Sequence, residues 1–488
     1  MAAQDAAIAL NRFGLGARPD DPVAAIARDP RGWLKGQQAR WQPRTAETSR
    51  IAPRAEVVAD WQAHRTGRRE ARMQAAADPA NIDVRTLTKA ARSNQYRHNV
   101  EGIDARVASA LATDTPFAER LTHFWSNHFA ISGDKVVPGL FAADYEFNAI
   151  RPNIYGSFGA LLAAAVKHPA MLTYLDQAAS IGPDSPFGSR RNARNANRTR
   201  DDGSPTRELG INENLAREIL ELHTLGVRAG YGQQDVTEFA RALTGWTVAG
   251  IGQNTLARQM AARQPETAGD TLFITELHQP GSRTIMGKSY ADNGAGQAGS
   301  ILADLAVHPA TARHVATKLV RHFVADTPPP AAVARVEKAF IASRGDLPAV
   351  YAALIDAPEA WAQPLAKFKS PWDWSVSALR GLGVRQLPGK QPAIRLFTQL
   401  GQPVWRPGSP AGWDDVAASW TGAQALMNRV ELAERFASRV GDRLDARALG
   451  AAILPGTLGQ ATGTAIARAD SPGQGLALLL VSPEFLRR

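Results

Sequence analysis

Apolar residues recur along this chain mainly at three- and four-residue spacing, and Ala, Leu, Arg and Glu fill the periodic segments, as in amphipathic helices. Helix starts are marked by polar residues before proline: Thr115-Pro116, and Ser370-Pro371-Trp372-Asp373, the latter with an acid placed as in a capping box. Thr421 with Gln424 forms another such box ahead of 423–439. His168-Pro169-Ala170, His308-Pro309-Ala310, Ala357-Pro358-Glu359 and Ser482-Pro483-Glu484 repeat one design, in which an apolar helix stops and a proline restarts the chain. The blocks 161–175 and 301–315 resemble each other around His-Pro-Ala, but no fixed period emerges, so a solenoid is not supported. The pattern predicts a mainly α, single multi-helical body of stacked helical hairpins spanning 1–488.

Two segments interrupt the helices. Residues 181–207 are rich in Ser, Asn, Asp, Gly and Pro, with Arg190, Arg191, Arg194, Arg198 and Arg200 crowded together, which reads as a mobile, disordered Arg-rich insertion. Within 271–287, the β-prone runs 272–275 and 284–286 flank His278-Gln279-Pro280-Gly281-Ser282 and predict a small β-hairpin. The polar, basic stretch 66–97 reads as surface helices and their linker, and 388–410 as a Pro/Gly-rich hinge.

Composition narrows the chemistry. With 488 residues, 44% apolar and 21% charged, the chain is an ordinary globular one, long enough to bury most of its apolar surface without staples. It has no cysteine, which excludes disulfides, thiolate zinc sites, iron–sulfur clusters and a cysteine nucleophile. No apolar run approaches the ~18 residues of a membrane helix. The residues 1–12 do not read as a signal peptide, so the expectation is a cytoplasmic protein if the sequence is complete. Lys+Arg of 56 against Asp+Glu of 46 gives +10, which reflects either arginine-heavy usage or affinity for an acidic polymer. Without a recognisable binding module, charge alone argues weakly for nucleic acid.

Phosphate-binding loops, His-Glu-x-x-His and Gly-x-Ser-x-Gly are absent. Four polar clusters remain. In Asn212-Glu213-Asn214 and the following 215–225, a regular helix would align Asn214, Glu218 and Glu221 at i, i+4 and i+7, flanked by Arg217 and His223. Paired carboxylates there could act as acid and base, while Arg217 before Glu221 also suits a solvated helix. A second helix at 233–244 carries Asp235, Glu238 and Arg241 and ends at Gly245-Trp246. The third cluster is His123-Phe124-Trp125-Ser126-Asn127-His128; its histidines stand about 140° apart on a helix, so one metal cannot take both from a regular helix, and core histidines are the plainer reading. The fourth, Trp405-Arg406-Pro407 with Gly412-Trp413-Asp414-Asp415 and Trp420, has the flat faces and acceptors of a sugar groove, or else buried packing tryptophans.

The stretches AIALNRFGLGAR (7–18), RLTHFWSNHF (120–129), MLTYLD (171–176), INENLAREILELHTLGV (211–227) and DV-x-E-x-ARALTGW (235–246) resemble a bacterial family catalogued as domain of unknown function 1800. Further matching stretches at 278–287, 369–381, 400–420 and 479–487 extend the resemblance over nearly the whole chain. It implies a long helical protein, often exported to the periplasm, often encoded beside a phosphatase- or sulfatase-like protein that would be a partner. The family's usual His-Asp-Pro-Gly stands here as His278-Gln279-Pro280-Gly281, and a Thr or Ser cap is replaced by Gly232.

Two functions follow as expectations. One is a hydrolase or lyase acting on a polar polymer such as a glycan in a carboxylate-lined cleft. Glu218, Glu221, Asp235 and Glu238 would be catalytic, and Asn214, Arg217, Trp246, Trp405, Trp413 and Asp415 would bind substrate. His123, His128 and His278 are the candidate ligands should a metal be used; the sequence leaves the cofactor unknown. The other is a non-enzymatic helical binding or assembly partner of the phosphatase- or sulfatase-like protein.

Overall fold

The computed structural model describes residues 2–77, 84–195, 210–251, 255–363, 365–387, 392–440 and 443–488. Helices dominate, and the only β-strands among the described residues form two antiparallel two-stranded sheets. One continuous apolar cluster runs from Ala6 to Phe485, so the mainly α body expected from periodicity is present. Two long helices, Arg54–Ala77 and Val84–Ala112, pack as a hairpin where surface helices were expected.

The proline-restart design works as hydrogen-bond chemistry. His168 and His308 each cap the following helix, their Nδ1 accepting from the N–H of Ala170 (3.2 Å) and Ala310 (3.1 Å). Each imidazole thereby satisfies one of the orphan donors of a helix N-terminus. Ser370 Oγ likewise accepts from Asp373 N, opening Pro371–Gly381, a helix buried on every side. A helix without an exposed face must lie inside the body, with its polar side chains paired there, and this one does.

The segment 11–18 explains its own composition. Arg12 is buried and donates to the carbonyls of Ala360 and Ala362, and Asn11 donates to Ile453 O. Arg120 Nε reaches Gly14 O at 2.6 Å, and Arg380 Nε reaches Gly16 O at 3.0 Å. Gly16 has φ 105°, and a Cβ there would collide with Ser377 of the central helix. Phe13, Phe117 and Phe323 join three helices through ring contacts of 5.6–5.8 Å.

Two expectations change. Segments 272–275 and 284–286 do not pair with each other. Strand β1 (Trp246–Val248) pairs with β2 (Thr271–Phe273), and β3 (Arg283–Ile285) with β4 (Lys288–Tyr290). Met286 and Gly287, both at positive φ (49° and 78°), form the two-residue turn that suits a twisted hairpin, so the small hairpin runs 283–290. The loop before it is held away by Thr244, whose carbonyl accepts from His278 Nδ1 (2.8 Å) and whose Oγ1 accepts from Gln279 N (2.7 Å).

The first part of the expected Arg-rich insertion is ordered. Residues 181–185 are anchored by Gly182 N donating to Leu277 O, and Ser185 Oγ caps a helix, Pro186–Asn195. Arg190, Arg191 and Arg194 lie on its exposed side; Arg198, Arg200 and the rest of 196–207 lie outside the described residues.

Gly16→Ala should destabilise the fold by at least ~1–3 kcal/mol, the cost of a strained positive-φ residue, before the clash with Ser377 is added. Chemical denaturation measures it; an unchanged midpoint would show that the 11–18 segment does not brace the central helix.

Candidate functional site

A cleft of about 360 Å³ opens between the helices Pro116–His128, Pro309–Phe323 and Pro371–Gly381 and the loop 402–416. The first helix presents Arg120, His123, Asn127 and His128. The second presents His314, Lys318, Arg321 and His322, and the loop contributes Trp405, Trp413 and Asp415.

The floor is a buried ionic network. Asp373 is 6% exposed and accepts from Arg120 Nη1 and Arg488 Nε, both at 2.9 Å. Burial alone would raise its carboxyl; the guanidinium groups of Arg120 and Arg488 overcome that and hold it well below the usual carboxylate range. Arg488 also donates to His322 O at 2.8 Å and lies 3.8 Å from Asp415.

Asp415 stands on the cleft wall, its side chain 30% exposed, with Oδ2 2.6 Å from His322 Nδ1. Lys367 Nζ lies 3.4 Å from the other oxygen. Burial opposes ionisation of Asp415, but His322, Lys367 and Arg488 together keep it charged. An ionised carboxylate requires a proton on His322 Nδ1, which leaves Nε2 with the lone pair when the ring is neutral. That Nε2 is buried and has no hydrogen-bond partner. Burial lowers the His322 pKa below its ordinary value more than Asp415 raises it, so the ring is neutral near pH 7.

The opposite wall is aromatic. Glu146 accepts from Arg106 Nε (2.7 Å), Ser126 Oγ (2.6 Å) and Trp405 Nε1 (2.7 Å), fixing the indole at the rim. Trp405 adopts φ 53°, strained for a bulky residue, and its carbonyl accepts from Gly133 N. Asn127 pins the loop by donating to Trp413 O (2.9 Å) and accepting from Trp413 N (2.7 Å). Trp372 donates from Nε1 to His123 Nδ1 at 3.2 Å, and burial with Arg106, Arg120 and Arg151 keeps His123 neutral.

The cleft therefore gathers Trp405, Trp413, Asp415, His123 and His128 from two of the four sequence clusters. It is not lined by Glu218, Glu221, Asp235 or Glu238. Residues 219–223 form a π-helical turn, so the i, i+4, i+7 row expected of a regular helix is broken. Glu218 and Glu221 stay close enough that burial, reinforced by Glu221, raises the Glu218 pKa, and Glu221 accepts from Tyr231 (3.4 Å). Both oxygens of Asp235 accept from backbone, Gly232 N and Met286 N at 2.7 Å each, and Glu238 pairs with Arg241 and Arg283. Arg217 bonds Glu213 and Gln233, and Asn214 is exposed. Trp246 packs on Phe273 in β1. His278 bonds Thr244, and the Gln279 amide exchanges two hydrogen bonds with Asp184.

Among the described residues, the group of three at metal-ligand spacing is Glu56, Asp60 and His98, on the long helical hairpin and apart from His123, His128 and His278. Sequence reasoning missed His314, Lys318, Arg321 and His322 as site residues. His314, Lys318 and His322 stand at i, i+4 and i+8, a one-face spacing readable in the sequence, and Asp373 was visible only as a helix-cap acid.

Fold and cleft define a mainly α-helical protein in which a charged, histidine-lined cleft is built on a buried ionic floor. The chain matches the family described as "Protein of unknown function (DUF1800)" over residues 8–487 and belongs to that family. No curated protein and no solved structure matches it.

Asp373→Asn should cost about 3–5 kcal/mol, because Arg120 and Arg488 would remain buried without their counter-charge. The folded pKa lies below the unfolded one, so the carboxylate's stabilisation is complete above the ordinary carboxylate range and is lost as pH falls below about 4. Urea unfolding at pH 7 and at lower pH should therefore show the variant's deficit shrinking with acid. A constant deficit would place the stabilisation elsewhere.

Proposed function

We propose that this protein is a hydrolase or lyase that acts by acid–base catalysis on a polar polymer such as a glycan, bound in the cleft of the 402–416 loop. The observation that carries the reading is the pair His322–Asp415, joined at 2.6 Å with Nε2 of the imidazole unpartnered. An ionised aspartate orients the imidazole, sets its tautomer and stabilises the imidazolium formed when Nε2 takes a proton, a role that recurs on unrelated folds. Trp405 and Trp413 supply the flat faces against which sugar rings pack.

The strain at Trp405 and the unpartnered ring nitrogens also support a working site, since such costs persist where function retains them. Lys318, pushed down to about 8 by burial, is a second candidate for proton transfer. The carboxylates of the 213–238 segment lie outside the cleft, and this reading gives them no part in the chemistry. His322 takes the role that the sequence assigned to them.

The test is depolymerisation of a panel of bacterial and plant polysaccharides, followed by His322→Gln and Asp415→Asn on whichever substrate is cleaved. Both variants should lower kcat by about 10²–10⁴-fold, the usual contribution of general acid–base catalysis. His322→Gln should keep its melting temperature, whereas Asp415→Asn, which strips Lys367 and Arg488 of a counter-charge, should also melt lower. Because burial depresses the His322 pKa, the acidic limb of the pH–kcat/KM profile should lie below the ordinary imidazole value of 6.5. Full turnover in both variants, with loss in Glu218→Gln or Glu221→Gln, would return catalysis to the acidic row. Absence of cleavage across the panel would favour a binding or assembly role.

A further inference from the structure

Among the described residues, two cations of the cleft lack an ion-pair partner. Of its four cationic residues, Arg106 is matched by Glu146 and Arg120 by Asp373. Lys318 and Arg321 remain. Both lie on the cleft side of Pro309–Phe323, three residues apart, and among the described residues no carboxylate comes within 4 Å of either. Of the three cleft carboxylates, Asp415 is engaged by His322 and Lys367, Asp373 by two arginines, and Asp414 accepts from Ser419 Oγ. None forms an ion pair with Lys318 or Arg321, although Asp415 acts on Lys318 at longer range.

A charged group drawn out of water without a counter-charge is costly, and a protein retains that arrangement where something else supplies the charge. Arg321 Nε is buried and has no acceptor at all, so the fold leaves a donor unsatisfied beside the cleft. A guanidinium fork next to an ammonium matches the oxygens of a carboxylate, sulfate or phosphate. Trp405, Pro407 and Trp413 line the same cleft with apolar faces. Cations on one wall and tryptophans on another suit a ring that carries an acid group.

We infer that the cleft is specific for an anionic glycan, one whose sugar residues bear carboxylate, sulfate or phosphate groups, and that Lys318 and Arg321 receive the acid group. This rests on the cleft being the substrate site proposed above and names the class of polymer it takes. With the acid group held at Lys318 and Arg321, the sugar ring is oriented along the 309–323 helix toward His322, one residue beyond Arg321.

Equilibrium binding separates this inference from the catalytic reading. The probes are a galacturonic acid hexasaccharide, a sulfated hexasaccharide of the heparin type and neutral maltohexaose, titrated calorimetrically into the full chain at low and moderate salt. At least one acidic probe should bind tenfold or more tightly than maltohexaose, and its affinity should fall as salt rises. Lys318→Met and Arg321→Met should each weaken that binding about tenfold, with melting temperatures retained, whereas His322→Gln should still bind. Equal affinity for the neutral probe, or acidic binding unchanged in the Lys318→Met, Arg321→Met double variant, would overturn the inference. An acidic probe that binds and is never cleaved would defeat the catalytic proposal and leave this one standing. Cleavage confined to neutral polymers would do the reverse.

Discussion

The cleft depends on one buried carboxylate. Asp373 sits in the first turn of a buried helix, and its charge is tolerable there because Arg120 and Arg488 hold an oxygen each. Each arginine has a second tie: Arg120 to Gly14 O, Arg488 to the carbonyl of His322. A single negative charge thus fixes where three helices and the 11–18 segment meet. Buried ion pairs add little net stability by themselves, because desolvation offsets their attraction. They do make misplacement expensive, since any shift that separates the partners leaves a charge without its counter-ion.

The same logic extends upward to the wall. Asp415 borrows its ionisation from His322, Lys367 and Arg488, and in return fixes the imidazole's tautomer. Glu146 does the equivalent for the rim by accepting three hydrogen bonds, one from a tryptophan in a strained conformation. The cleft is rigid because its parts are held by charge-assisted bonds whose alternatives are worse. Preorganised groups of this kind need not rearrange when charge moves during a reaction.

Much of the fold was legible in the sequence because helix capping and apolar periodicity are local. His168 and His308 cap helices as their His-Pro-Ala context suggests, and Ser370 caps the central helix. The hairpin was misassigned because strand pairing is not local: the competition between β1 and β3 for β2 is decided by Thr244, which lies outside the pattern. The candidate site was half legible. Clusters around His123 and Trp413 meet in space, but the acidic row drew attention because carboxylates at helical spacing look like chemistry. A π-helical turn at 219–223 changes that spacing, and no composition rule announces it. His322 was passed over because its partner, Asp415, is 93 residues away.

The distances along the chain have a temporal meaning. Arg120 and Asp373 are 253 residues apart, and Asp373 and Arg488 a further 115. Ribosomes add about 5–20 residues each second. For several seconds the nascent chain therefore carries Asp373 and Asp415 without the guanidinium that bridges them, and the central helix cannot be buried at its full depth. Arg488 closes the network after the two carboxylates it bridges have been made. A cleft built this way acquires its full charged floor only after Arg488 has followed Asp373 out of the ribosome.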